Sequence, residues 1–96
     1  MKIETTTRYD KWLKGLKDKT AVARILVRVA RIKVGNFGDC EPVGGGVSEL
    51  RIDYGPGYRV YFGKMGNEII ILIAGSSKKN QQKAIDDAKK LWKEIK

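Results

Sequence analysis

Six consecutive apolar residues, Ile69-Ile70-Ile71-Leu72-Ile73-Ala74, limit the folds open to this chain more than any other feature. A strand with one face in water alternates apolar and polar residues. An unbroken apolar strand has both faces covered, so the run is expected to be the central strand of a sheet. With 96 residues the chain can build one domain but not two. The layers covering that strand must therefore come from its own helices.

The flanking sequence supplies them. Lys2–Thr6, with Ile3 and a threonine run, reads as a terminal or edge strand. Thr7 is a good helix N-cap with Asp10 three residues on, and Tyr9, Trp12, Leu13 and Leu16 then recur at helical spacing. After Asp18-Lys19-Thr20, a second helix has an apolar face of Val22, Ile25, Leu26, Val29 and Ile32, and it stops at Gly35-Asn36. The two helices form a hairpin. Residues Gly35–Gly46 are rich in glycine and read as a loop.

Two strands follow, Val47–Asp53 and Tyr58–Phe62, about a turn at Tyr54-Gly55-Pro56-Gly57. Val47, Leu50 and Ile52 do not share one parity, which predicts an irregularity near Ser48. Gly63–Asn67 is a second turn, and Glu68–Ala74 is the third strand of the meander. Gly75-Ser76-Ser77 ends it and caps a last helix, whose apolar face is Ala84, Ile85, Ala88, Leu91, Trp92 and Ile95. Residues 1–96 are thus a single α+β domain with the order β-α-α-β-β-β-α, a mainly antiparallel sheet packed on a helical hairpin and a C-terminal helix.

Composition narrows the chemistry. The chain contains no histidine and one cysteine, Cys40. A Ser-His-Asp or Cys-His engine and a His-ligated zinc are excluded, an internal disulfide is impossible, and no metal or cofactor is expected. Met1-Lys2-Ile3-Glu4 turns polar at once, which points to a cytoplasmic protein. Twenty Lys and Arg against 11 Asp and Glu leave a net charge of +9. Such density on a small domain implies an anionic partner: nucleic acid, an acidic protein or an anionic membrane.

Candidate sites follow from spacing. Glu49, Arg51 and Asp53 alternate with Leu50 and Ile52, so they share one strand face, with Arg59 on the neighbouring strand. Guanidiniums grip phosphate oxygens bidentately, and a carboxylate can take a proton from a ribose 2′-hydroxyl. By pattern alone a cross-strand salt bridge is the better reading. Gly75–Gln81, with Lys78 and Lys79, places lysines where a strand hands over to a helix, and ordinary capping and anion binding are balanced there. Arg24, Arg28 and Arg31 form a basic stripe, either a solvated face or a surface for RNA phosphates or an acidic partner. Trp12 and Trp92 belong to the core, whereas Tyr54, Tyr58 and Tyr61 flank the charged patch.

The stretch Gly38–Phe62, with Gly57-Tyr58-Arg59-Val60-Tyr61 at its centre, resembles the RelE/ParE toxin superfamily, and more narrowly its HigB-like addiction-module killer branch. Trp12-Leu13, Gly35–Asp39 and Ala74–Gln81 fit the same branch, and the resemblance covers nearly the whole chain. It implies the toxin of a type II toxin–antitoxin pair: a ribosome-dependent mRNA endoribonuclease acting without metal, or, in ParE-like relatives, a non-nuclease inhibitor of DNA gyrase. The partners implied are a helix-turn-helix antitoxin of HigA type, the ribosome and mRNA. By this resemblance Arg59 holds the scissile phosphate, Arg51 is a basic catalytic residue, Glu49 is a general base and Lys78 assists the leaving group. Arg24, Arg28, Arg31, Tyr58 and Lys79 would meet RNA. The chain departs from the pattern in lacking the histidine and the C-terminal tyrosine that relatives use as acids.

Overall fold

A computed structural model describes residues Met1–Lys96. Its elements are β1 (Lys2–Thr5), α1 (Thr7–Lys14), α2 (Lys19–Lys33), β2 (Cys40–Gly44), β3 (Val47–Ile52), β4 (Tyr58–Met65), β5 (Ile69–Ser77), a 3-10 turn (Lys78–Asn80) and α3 (Gln81–Ile95). The five strands form one mixed sheet in the order β1-β5-β4-β3-β2. Only the β1–β5 pairing is parallel. The fold is α+β, with helices on both faces of the sheet.

The apolar run lies in β5, covered on both sides as expected, although the middle of the sheet is β4. Ile70 and Leu72 enter a core with Tyr9 of α1, Ala21, Ile25 and Ile32 of α2, and Leu50, Ile52, Val60 and Phe62. Ile71, Ile73 and Ala74 enter a second core with Val47, Tyr61 and the α3 residues Ile85, Ala88 and Trp92. Consecutive Ile73 and Ala74 share that core because the β4–β5 register shifts between Tyr61 and Phe62, where β5 carries an extra residue. Burying so many Ile, Leu and Val side chains stabilises the sheet by roughly 1.5–3 kcal/mol each.

Two cores also resolve the parity of β3. Val47 faces α3, while Leu50 and Ile52 face α1 and α2. The strand pairs with β4 without interruption from Val47 to Ile52, and the irregularity expected near Ser48 lies on its other edge, where the β2 register shifts between Pro42 and Gly44, opposite Ser48 and Val47. A strand covered on both sides need not keep one parity.

Several boundaries differ from the sequence reading. The cap of α1 is Thr6, not Thr7. Its Oγ1 accepts from Tyr9 N at 3.0 Å and also donates to Ile73 O at 2.6 Å, so a contact with β5 selects between two equivalent threonines. Asp18 caps α2 by accepting from the N–H groups of Thr20 and Ala21. The Gly35–Gly46 segment is not all loop, since Cys40–Gly44 pairs with β3 as an edge strand. Pro42 is tolerated at an edge because it withdraws a donor from no second neighbour. Gly44, Gly45 and Gly46 all have positive φ and form the turn into β3 rather than a loose connection.

Gly75-Ser76-Ser77 continues β5 instead of capping a helix; neither Ser77 nor Asn80 makes a side-chain cap. Gly63 is not a turn residue either. It sits inside β4 beneath Trp92, where a Cβ would lie 2.6 Å from the indole ring.

Candidate functional site

The α3 face of the sheet carries a polar cluster at the end away from the Trp92 core. Residues alternate along β3 and β4, so Glu49 and Arg51 share this face with Arg59 and Tyr61. Glu49 is paired across the ladder with Tyr61, and Arg51 with Arg59. Glu49 and Arg59 form an ion pair of 2.6 Å, with side chains only 3% and 11% exposed. The Arg59 Nε–H does not point along that contact and has no hydrogen-bond acceptor. Gln81, the first residue of α3, closes the carboxylate from above: its Nε2 donates to Glu49 Oε1 at 2.9 Å and Oε2 at 3.1 Å. Glu49 thus forms the cross-strand salt bridge that the alternation of β3 favoured, and the charge is not displayed. It is a buried anchor.

Arg51 is held differently. Its Nη2 donates to Glu41 on β2, and its Nε lies 3.3 Å from Asp39 Oδ1. The Glu41 hydrogen bond, opposed by partial desolvation and helped by the Asp39 charge, strengthens the hold of this guanidinium on its proton. Two arginines directly opposite each other repel, and such pairs destabilise a sheet. Here each cation has its own carboxylate, Glu49 for Arg59 and Asp39 with Glu41 for Arg51. Lys78 joins them at the mouth. A Cβ built at Gly57 would lie 3.4 Å from Lys78 Cβ and 3.9 Å from Arg59 Nη1, so both side chains border one small space. Lys79 is exposed beside it on the 3-10 turn.

Tyr61 and Ser76 complete the floor, their hydroxyls 3.0 Å apart. Burial raises the Tyr61 phenol above its ordinary range, with the Ser76 hydrogen bond acting the other way. It keeps its proton at neutral pH, but the side chain is wholly buried.

The other candidates lie elsewhere. Asp53 falls beyond the end of β3 and lines a groove beside α2. Tyr58 is buried on the opposite face, 9% exposed, with its ring edge-on to Trp12. It is a core residue in this structure, because neighbours of Arg59 along the strand point the other way. The stripe Arg24, Arg28 and Arg31 lies on α2, across the sheet from Arg59. Arg28 is used up internally, donating to the carbonyls of Arg51, of Phe37 at 3.1 Å and of Asp39 at 3.2 Å. Gly38, at φ +64°, lets the loop close around that guanidinium, since a Cβ there would lie 3.1 Å from Nη2. Arg24 stacks over the Tyr54 ring at 4.7 Å, and Arg31 is exposed.

Sequence reasoning missed Gln81 and Ser76 as members of the cluster. Both fall in the Gly75–Gln81 segment that was singled out, but only the pairing of Arg59 with Ser76 places that segment over β4. No group of three or more His, Cys, Asp or Glu side chains is placed to hold a metal ion. No helix is long and apolar enough to cross a membrane. What the cluster can do is bind an anion: two arginines sit opposite each other on neighbouring strands, each oriented by a carboxylate, and the Lys78 side chain borders the same space as Arg59.

No family model matches the chain. It is similar to an uncharacterized protein of Haemophilus influenzae, 44% identical over 95 residues, which covers 99% of this chain and 96% of the relative. Identity of that extent over both chains shows common descent, and this chain belongs to the family of the Haemophilus influenzae protein.

Proposed function

We propose that the Arg51–Arg59–Lys78 cluster is a phosphodiester grip, and that the chain is a RelE/ParE-type toxin of the HigB-like branch which cuts mRNA on the ribosome. The observation that carries the reading is the direct cross-strand pairing of Arg51 with Arg59, with Lys78 against Arg59. The carboxylates beside them offset the repulsion of the opposed arginines and orient them in advance, and guanidiniums so held can take a bridging phosphate bidentately. The residue resemblance around Gly57–Tyr61 supplies the reaction class. On this reading Arg59 and Arg51 stabilise the charge that develops as a ribose 2′-hydroxyl attacks phosphorus, and Lys78 stabilises the leaving oxygen. Lys79 extends the grip along the RNA. Glu49 orients Arg59, and it takes the hydroxyl proton only once Gln81 withdraws. The antitoxin of such a pair would be a small helix-turn-helix protein, and the site of action the cytoplasm.

The burial of Glu49 favours one rival. A carboxylate held on two sides is an ordinary structural ion pair, as expected of a ParE-like gyrase inhibitor with no nuclease chemistry. The test uses a translating extract in which mRNA 5′ ends are mapped. Wild-type protein produces new ends; Lys78→Ala lowers cleavage by about 10²–10³-fold, the usual cost of one charge stabiliser. The double variant Glu49→Leu/Arg59→Leu removes the pair without stranding either charge, and it abolishes cleavage while remaining folded. Cleavage by that double variant at the wild-type rate refutes the site. Inhibition of gyrase supercoiling with no mRNA cleavage refutes the nuclease reading and selects the rival.

A further inference from the structure

The second helix was expected to bury Leu26, yet Leu26 is 48% exposed, with Val27 51% and Val34 81% exposed beside it. These are not scattered positions. Ala23, Val27, Ala30 and Val34, spaced four, three and four apart, are all exposed and lie along one side of α2 and its C-cap. Alternating steps of four and three repeat every seven residues, the heptad of a coiled-coil seam, in which apolar residues of one helix fit between those of another. The buried stripe Ala21, Ile25 and Ile32 lies on the other side. Thus α2 has two apolar seams, and only one is covered by the sheet.

One flank of the unpartnered seam is concave. Thr20, Ala23 and Val27 line a groove of about 350 Å³, walled by Arg24, Arg28 and Arg31 and closed by Ile52 and Asp53. Small alanines alternating with valines leave room for a partner's larger side chains. In the heptad that the seam defines, Arg24 and Arg31 fall at one flank, and Leu26 and Lys33 at the other. Flanking charges choose the partner helix. From residue 19 to residue 33 the helix carries Lys19, Arg24, Arg28, Arg31 and Lys33 and no acidic residue. Neither Arg24 nor Arg31 is paired with a carboxylate.

We propose that the Ala23–Val27–Ala30–Val34 face of α2 is a docking surface for an amphipathic helix of another protein, one whose apolar heptad seam is flanked by aspartate and glutamate. The groove accepts the partner's large apolar side chains at Ala23 and Val27, Ala30 and Val34 continue the seam beyond it, and the partner's acidic flanks pair with Arg24, Arg31 and Lys33. A second copy of this chain would set arginine against arginine or lysine across the seam, and such like-charge contacts oppose pairing. RNA would satisfy the arginines but leave Leu26, Val27 and Val34 in water. The surface lies across the sheet from Arg59, so it is separate from the phosphodiester grip.

The test is a displayed library of 24-residue peptides with apolar a and d positions and randomised e and g positions, selected on the full 96-residue protein. The expected result is enrichment of Asp and Glu at e and g, with at least tenfold weaker binding to Val27→Glu. Selection on an Arg24→Glu/Arg31→Glu variant should switch the enriched flanks to Lys and Arg. Far-UV circular dichroism and urea midpoints establish that the variants fold, as expected for exposed positions. Enriched peptides without acidic preference, or binding indifferent to Val27→Glu, overturn the proposal. So does failure to enrich any peptide while the chain self-associates, binds a 20-nucleotide RNA, or binds vesicles rich in phosphatidylglycerol in a Val27-dependent way.

Discussion

Replacing Arg59 by alanine should destabilise this domain far more than a surface substitution. Glu49 and Arg59 are nearly free of water, at 3% and 11% exposure. Removing the cation strands a buried carboxylate, which costs about 3–5 kcal/mol. The two Gln81 hydrogen bonds persist and keep the cost near the lower bound. A domain of 96 residues has about 5–14 kcal/mol of stability at the usual value per residue. A loss of about 3 kcal/mol is therefore a large share, and it lowers Tm by about 12–24 °C at roughly 4–8 °C per kcal/mol. The double variant Glu49→Leu/Arg59→Leu removes both charges, so it should recover most of the loss or exceed wild type, as hydrophobic replacements of buried pairs do. Urea unfolding at pH 7, followed by circular dichroism and by fluorescence of the buried Trp92, measures both. An Arg59→Ala cost under about 1 kcal/mol, with no recovery in the double variant, would show that the pair is not desolvated and that the argument from burial fails.

Two other substitutions test the packing. Tyr9 is buried with a hydroxyl that has no hydrogen-bond partner, so Tyr9→Phe should be neutral or stabilise by about 1 kcal/mol in urea melts. Burial, with a smaller contribution from Asp10, raises the Tyr9 phenol from 10.0 to about 12. A folded pKa above the unfolded one means that this share of stability is complete below about pH 10 and lost as pH rises to about 12. The loss is about 2–3 kcal/mol from two pH units, and Tyr9→Phe should flatten the stability curve over that window; an unchanged slope refutes the burial argument. Gly63→Ala would put a Cβ 2.6 Å from Trp92, so it should cost about 1–3 kcal/mol, with part regained by Trp92→Phe. A cost near zero would show that the indole does not rest on β4.

The sequence by itself determined the elements whose signals are local. Helical spacing in α2 and α3, the break at Asp18-Lys19-Thr20, the Gly35 stop and the unbroken apolar run of β5 were all legible, because each reflects bonds or burial within a few residues. The resemblance around Gly57–Tyr61 drew Arg51, Arg59, Glu49 and Lys78 to one place, and the strand register does set Arg51 against Arg59 with Glu49 and Lys78 beside Arg59. Tertiary structure decided the rest. Thr6 caps α1 rather than Thr7 because Ile73 O is within its reach. Cys40–Gly44 becomes a strand despite its proline and glycine because β3 offers an open edge.

The charged hairpin shows the difference most sharply. Alternation assigned Glu49 and Arg59 to one face, but could not say what covers that face, and α3 arrives from 32 residues away to seal the carboxylate with Gln81. Periodicity likewise found the apolar residues of α2 but not that they form two seams, one against the sheet and one in water. Which side of a helix is buried depends on where the sheet lies, and that is a property of the whole fold.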